Sequence, residues 1–410
     1  MQKIYVQGER FNKNEVKMNF SIIGISDKED VFFSPDIIKM ISDNKIFSGG
    51  KRHKQLVLNY LPKDYVWIDI TIPLSKVFNE YKNHESICVF ASGDPLFYGI
   101  ANTIKREFSE SEISVYPYFN SIQILAHKLV MPYQDIRYVS LTGRPYSKLD
   151  ESLINGENLI GVLTDKNKTP KTVAERLLYY GYSNYKIHVG ENLGNKQEKI
   201  STYSLEEAKD IDFSKLNCLI LEKIGDRHKY LGIPESEFYI LEGRPKMLTK
   251  MPIRLLSLSL LNLNSKKVFW DIGFCTGSVS IEAKLQFPHL KIYSFEIRKE
   301  SESIMENNCK KFGTPGIEYF IGDFLGQDIE DLEMPDAVFI GGHGGKLHNI
   351  VEKISKLLKS GGTLVFNSVS KDSKEKFISA ITTNNMKLSN SINLKVNDNN
   401  PIDVLVAHKL

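Results

Sequence analysis

The chain has 410 residues, more than one ordinary hydrophobic core accommodates, so two domains are the starting expectation. Apolar residues make up 41% and charged residues 25%, the profile of a folded globular chain, and 53 basic against 50 acidic residues lack the basic excess of a nucleic-acid binder. The four cysteines, Cys88, Cys218, Cys275 and Cys309, form no C-x-x-C pair, which argues against a metal site and for reduced thiols in a cytoplasmic protein.

The opening stretch, residues 1–18, lacks an apolar signal core and reads as a leader arm. No run of about 18 apolar residues is present, so no membrane association is expected. "NFSIIGIS" reads as a buried strand ending in a turn at Gly24. "DVFFSPDIIKMISDNKIFSGG" reads as a helix and a short strand, closed by the Gly49-Gly50 turn before "KRHKQLVLNYL". "SICVFASGDP" is a strand running into an Asp-Pro bend, and "LFYGIANTIKREF" a helix. "EISVYPYF" is a strand, "SIQILAHKLV" a helix opening at Ser121, and "IRYVSLTGR" and "ENLIGVLTD" are strands. "TPKTVAERLLYYG" is a helix with Thr169 as cap, Pro170 in the first turn and Gly181 at its end. "YKIHVGENLG" and "KLNCLILEK" complete a first α/β domain over residues 19–225.

Residues 226–250 hold two prolines and several charges without lasting periodicity, the marks of a linker. The alternation then restarts over residues 251–410. "MPIRLLSLSLLNL" is helical, "KKVFWDIG" a strand, "GSVSIEAKLQF" a helix, "KIYSFEI" a strand, and "KESESIMENNCKKFG" a helix closed by Gly313. "IEYFIGDF" and "PDAVFIGG" are strands, "LHNIVEKISKLLKSGG" a helix and "TLVFNSV" a strand; "PIDVLVAHKL" is expected as a last, edge strand. The halves share no repeat, which predicts two different α/β domains.

"VFWDIGFCTGSVSIEA" is strand, glycine turn and helix, a form that lets backbone approach a ligand and aims helix N–H groups at it. The next strand ends in Glu296, 23 residues after Gly273, where an acid can accept ribose hydroxyl hydrogens. The third ends in "IGDF", placing Asp323 to accept from an adenine amine. A Walker lysine and the G-x-G-x-x-G spacing are both absent. Taken singly, each acid reads equally well as a solvated strand-end charge. As a set with Asp271, Gly273 and Gly277, they resemble the Rossmann-like methyltransferases that bind S-adenosylmethionine. The resemblance gives Asp271 the turn or the cofactor ammonium, Glu296 the ribose and Asp323 the adenine. Cys275 stands where that family commonly has glycine.

"ASGDPLFYG" alone is a tight turn. With "FSGGKRHKQL", "SIQILAHKLVMPYQDIRYVSLTGR", "LTDKNKTPKTVAERLLYYG" and "HVGENLGNKQEKI" it resembles the two-lobed tetrapyrrole methyltransferases, in the branch that methylates carbon 5 of precorrins. That likeness implies a cofactor pocket formed by Ser92, Gly93, Asp94, Pro95, Phe97, Asn120, Ser121 and Leu163, largely through backbone. The second domain resembles the partner that methylates carbon 15 and decarboxylates the C12 acetate. Together they are similar to the family of fused C5,15-methyltransferases (decarboxylating) of cobalamin biosynthesis. Three positions depart from the family: "GISDKED" replaces its Gly-x-Gly-Pro loop, Asn120-Ser121 its Ser-Ser, and Thr142 its His before Gly-Arg.

The resemblance implies one S-adenosylmethionine per domain and a precorrin-type tetrapyrrole substrate, with no nucleic acid partner and a homo-oligomer by family analogy alone. Arg and Lys suit a polycarboxylate ring. Lys51, Arg52, His53 and Arg144 are candidates in the first domain, and Lys250, Arg254, His343 and Lys346 in the second. No catalytic acid is assigned. An RNA methyltransferase and a non-catalytic corrinoid- or cofactor-binding regulator are the competing readings; the balanced charge disfavours the first, and two complete pockets disfavour the second.

Overall fold

The computed structural model describes residues 18–26, 28, 31–244, 247–397 and 400–410. The leader arm expected over residues 1–18 lies, Met18 apart, outside the described residues, as do positions 27, 29 and 30 of the first loop. The described residues group into two compact units. One runs to Gln134 and takes in Val189–Ser201 and Phe213–Ile220; the other comprises Asp135–His188, Thr202–Asp212 and Leu221–Leu410.

The first sheet contains β1 (Asn19–Ile25), β2 (Ile46–Gly49), β3 (Val66–Asp69), β4 (Ser86–Ser92) and β5 (Glu112–Tyr116), in the order β3-β2-β4-β1-β5. Its strand pairs are parallel. Alternate residues of a strand face opposite sides, so a strand covered on both faces must be apolar throughout. Phe20, Ile22, Ile87 and Val89 join one core cluster, while Ile23, Ile25, Cys88 and Phe90 join the other. This is why "SIIGI" and "SICVF" carry unbroken apolar runs. A second sheet has the order β6-β7-β10-β8-β9, from β6 (Arg137–Ser140), β7 (Leu159–Leu163), β8 (Tyr185–Glu191), β9 (Lys199–Ser204) and β10 (Asn217–Lys223).

The third sheet has seven strands in the order β13-β12-β11-β14-β15-β17-β16. These are β11 (Val268–Ile272), β12 (Lys291–Glu296), β13 (Ile317–Ile321), β14 (Ala337–Ile340), β15 (Thr363–Ser368), β16 (Met386–Leu394) and β17 (Ile402–Lys409). Pairs from β13 through β15 are parallel, and β17 is antiparallel to both its neighbours. The strand order reverses at β11, with β12 on one side and β14 on the other, so a crevice opens at their carboxyl ends. The expected edge strand "PIDVLVAHKL" is interior, flanked by β15 and β16. The true edge, "MKLSNSINL", exposes its serines and asparagines, and this polar face makes it read as loop.

The stretch 226–250, expected to be a linker, is packed at its described residues Ile233, Phe238 and Leu248, which belong to the core cluster that covers one face of the third sheet. Arg254, expected to meet substrate, is fully buried. Its Nε donates to Glu282 Oε2 at 3.2 Å, its Nη1 to the Thr249 carbonyl at 2.8 Å, and its Nη2 to the Ile233 carbonyl. Glu282 also accepts from the N–H groups of Gly232 and Ile233, at 2.8 and 3.0 Å. The guanidinium therefore staples the irregular segment to the core of the third sheet, its donors spent within the protein. Among the described residues, no helix is long and apolar enough to cross a membrane.

Removing one member of a buried ion pair leaves the other uncompensated, at a cost of about 3–5 kcal/mol. Arg254→Met is expected to lose stability on that scale in urea unfolding, and a second change, Glu282→Gln, to recover a large part of it.

Candidate functional site

In the third sheet the glycine turn follows β11. Gly273 adopts φ +78°, and a Cβ there would lie 2.6 Å from the Gly342 nitrogen and 2.7 Å from its oxygen. Glycine is therefore required: the turns after β11 and β14 meet backbone to backbone. Gly277, also at positive φ, opens the helix Ser278–Gln286. Beside these turns lies a cleft of about 100 Å³. Gly273, Glu296, Asp323, His343 and Lys346, all singled out from sequence, line it together, as do Ile297 and Arg298, which were not.

Glu296 is 3% exposed and richly bonded. Its Oε1 accepts from the Ile297 and Arg298 N–H groups (2.9 and 3.1 Å) and from Arg298 Nη1 (2.9 Å). Its Oε2 accepts from the Cys275 N–H at 2.9 Å, which leaves one lone pair of that oxygen for a ligand. Cys275 holds φ +53°, a conformation that disfavours side chains, so this hydrogen bond anchors a strained residue. The signal for Arg298 was its place two residues beyond the strand-end acid.

Asp323 pairs with Lys346 Nζ at 2.6 Å and accepts from the Leu325 N–H at 3.1 Å; both contacts, Lys346 foremost, hold its carboxyl below the usual range. His343 accepts from the Gly345 N–H on Nδ1 at 3.1 Å, so its proton sits on Nε2. Its ring packs against Phe366, and burial with nearby Lys376 lowers its pKa. Asp271 is 1% exposed and is not among the cleft's lining residues; Ser280 Oγ donates to its Oδ2 at 2.5 Å, while Oδ1 is buried with no partner among the described residues. Burial first, and the neighbouring Glu296, raise its pKa to about 7. Lys250 precedes the helix Met251–Leu261 and is not among the cleft's lining residues.

In the first sheet the Asp-Pro bend follows β4. Gly93, at φ +62°, donates to the Ile25 carbonyl at 2.8 Å and accepts from the Tyr118 N–H at 3.2 Å. A Cβ on Gly24 would stand 2.0 Å from the Gly93 oxygen, so the β1 and β4 ends also touch through backbone. Asp94 Oδ1 accepts from the Leu96 N–H at 2.8 Å, and the Asp94 carbonyl from the Phe97 N–H at 3.0 Å, which closes the bend around Pro95. Asn120 caps the helix Ser121–Lys128 by reciprocal bonds with Gln123, and Gly93 lies against the Asn120 Cα. The Asn120 side chain is thus committed to its helix and leaves backbone to face a ligand. Arg52 and His53 both bond Ser92.

Leu163 and Arg144 belong to the other unit. The Leu163 carbonyl accepts from the Leu141 N–H at 2.8 Å, and Arg144 Nη1 donates to Ser140 Oγ at 3.0 Å. Asp165, not identified from sequence, ties this turn down: three backbone N–H groups, of Lys168, Gly143 and Asn167, hold its carboxyl at about 2.

The cleft beside β11 fits a cationic nucleoside cofactor. A cradle closed to any Cβ and a spare carboxylate lone pair on Glu296 supply a close backbone approach and an acceptor for hydroxyl hydrogens.

A family model described as tetrapyrrole (corrin/porphyrin) methylases matches residues 39–209, and one described as precorrin methyltransferase domain matches residues 242–407. The chain is 29% identical over 356 residues to a precorrin-6Y C(5,15)-methyltransferase [decarboxylating] of Sinorhizobium sp., covering 86% of this chain and 85% of that one. It is 34% identical to a Sulfurisphaera tokodaii protein named "Probable cobalt-precorrin-6B C(15)-methyltransferase (decarboxylating)", covering 37% of this chain and 77% of that one. A crystal structure of a precorrin-6Y C5,15-methyltransferase from Geobacter metallireducens GS-15 matches at 31% identity and a TM-score of 0.40, covering 44% of this chain and 98% of that one.

Asp271 carries a folded-state pKa above the ordinary carboxyl value, so its contribution to stability is full in acid and is lost as pH rises through about 7. Relative to the wild type, Asp271→Asn is expected to gain stability as pH goes from about 4 to 7 and to hold a constant difference above that. Paired thermal unfolding curves across pH measure it.

Proposed function

The chain belongs to the precorrin-6Y C5,15-methyltransferase (decarboxylating) family, and from that premise we propose that its two domains divide the work on one tetrapyrrole. The first domain methylates carbon 5; the second methylates carbon 15 and removes the C12 acetate carboxylate. Each holds its own S-adenosylmethionine. The observation that carries this reading is the convergence of Gly273, Glu296 and Asp323 on one strand-end cleft, beside an independent backbone bend at Ser92–Phe97 on a different sheet.

When bound, the cofactor supplies a methyl group on a sulfonium, a good leaving group. The chain's task is alignment, worth about 7–11 kcal/mol of barrier in favourable cases. In the second domain the β11 turn brings backbone to the cofactor, Glu296 holds ribose, and Asp323, set by Lys346, lies toward the base. Asp271 orients the turn through Ser280 and offers its second oxygen to an ammonium. In the first domain the bend Ser92–Phe97, with the Asn120–Ser121 backbone, forms the corresponding pocket. The ring needs no strong base, because its conjugated carbons are nucleophilic. Loss of carbon dioxide leaves an electron pair that conjugation carries toward carbon 15. Lys346 and His343, beside the cleft, suit the ring's carboxylates.

The full chain, given labelled S-adenosylmethionine and a precorrin-6Y-type pigment, is expected to yield a product with two added methyl groups and one carbon dioxide lost, read by mass spectrometry. Glu296→Ala is expected to keep the carbon 5 methylation and to lose the second methylation together with decarboxylation. Label transferred to RNA and not to pigment overturns the proposal.

A further inference from the structure

At the end of β4, Ser92 is solvent-exposed, with Arg52 and His53 half-buried beside it. The Gly50 N–H donates to His53 Nδ1 at 3.3 Å. That nitrogen is therefore an acceptor, and the imidazole proton resides on Nε2. Nε2 lies 2.9 Å from Ser92 Oγ and so donates to it. Arg52 Nη2 donates to the same oxygen at 3.2 Å. A hydroxyl oxygen has two lone pairs, and both are now taken. The Ser92 proton is left as a donor, aimed away from its two partners, and among the described residues no acceptor takes it. Two donors, one cationic, also polarise the O–H bond and strengthen it as a donor. Burial first, then Arg52, lowers His53 to about 4 against a smaller raising contribution from the Phe90 backbone, so the ring is neutral at ordinary pH.

We infer that Arg52, His53 and Ser92 form a carboxylate seat, in which the Ser92 hydroxyl donates to a carboxylate oxygen, the Arg52 guanidinium supplies the balancing charge, and His53 is a positioning residue that fixes the hydroxyl's direction. The inference deepens the proposed carbon 5 methylation and rests on it. Two sources offer this chemistry: the acetate and propionate side chains of the ring, and the amino-acid end of the cofactor. Single-donor readings of Ser92 as a cofactor contact, or of His53 as an independent substrate contact, miss the coupling, because neither residue's direction is set without the other.

The test uses the full chain with Ser92→Ala, His53→Leu and His53→Gln. Kd for S-adenosylhomocysteine is read by calorimetry. KM and kcat for first methylation are read with the pigment and with its methyl ester. Hydrogen bonds to charged groups set the expected scale at about tenfold to a hundredfold for Ser92→Ala. If the ring supplies the carboxylate, KM for the free-acid pigment rises by that factor, the ester shows no such rise, and Kd is unchanged. If the cofactor supplies it, Kd rises and the ester and acid respond alike. In either case His53→Leu gives a smaller loss, and His53→Gln, whose amide N–H reaches the same place, restores binding. Unchanged Kd and KM in Ser92→Ala overturn the seat; a His53→Gln variant as impaired as His53→Leu overturns the positioning role. A wild-type chain that methylates no pigment would refute the proposed function instead, and the calorimetric arm alone would then decide the seat.

Discussion

The close meeting of two loops, Gly273 against Gly342, is the constraint from which the cleft follows. Neither turn can withdraw, because each continues one of two paired parallel strands, and Gly273 cannot carry a side chain at the contact without collision. The cleft lies beside this contact at the reversal of strand order, so backbone lines it there. The first sheet reaches a similar solution by another route, with Gly24 pressed against the Gly93 carbonyl. Two unrelated topologies thus expose backbone at a strand end, which is what a cofactor held largely by main-chain groups requires.

Acidic residues that look alike in sequence have separate fates. Glu296 gathers four donors and keeps a single lone pair for a ligand, whereas Asp271 has one side-chain donor and an oxygen with none. Glu282, equally buried, is satisfied by Arg254 and two backbone N–H groups and belongs to the scaffold. Of the three, Glu296 alone combines unspent acceptor capacity with a place at the cleft, while Glu282 has its capacity used in the core and acts as a fastener.

Most of the architecture was legible in the sequence because it rests on local pattern. Unbroken apolar runs marked the parallel strands, and a strand, turn and acid in series located Gly273, Glu296 and Asp323, which do line one cleft. Features that depend on distant partners were not legible. The edge strand Met386–Leu394 looks like loop because its outward face is polar, and only its pairing with β17 reveals it. Arg254 looks like a free cation because Glu282 lies 28 residues away. Arg52, His53 and Ser92 were each singled out, but as separate contacts. Their union depends on β2 lying beside β4, a register that periodicity does not encode.

The account stands on each chain possessing two cofactor pockets of different construction. Isothermal titration of the full chain with S-adenosylhomocysteine counts them directly. Saturation at two equivalents per chain, resolved into two affinities, is the result the account predicts; saturation at a single equivalent contradicts it.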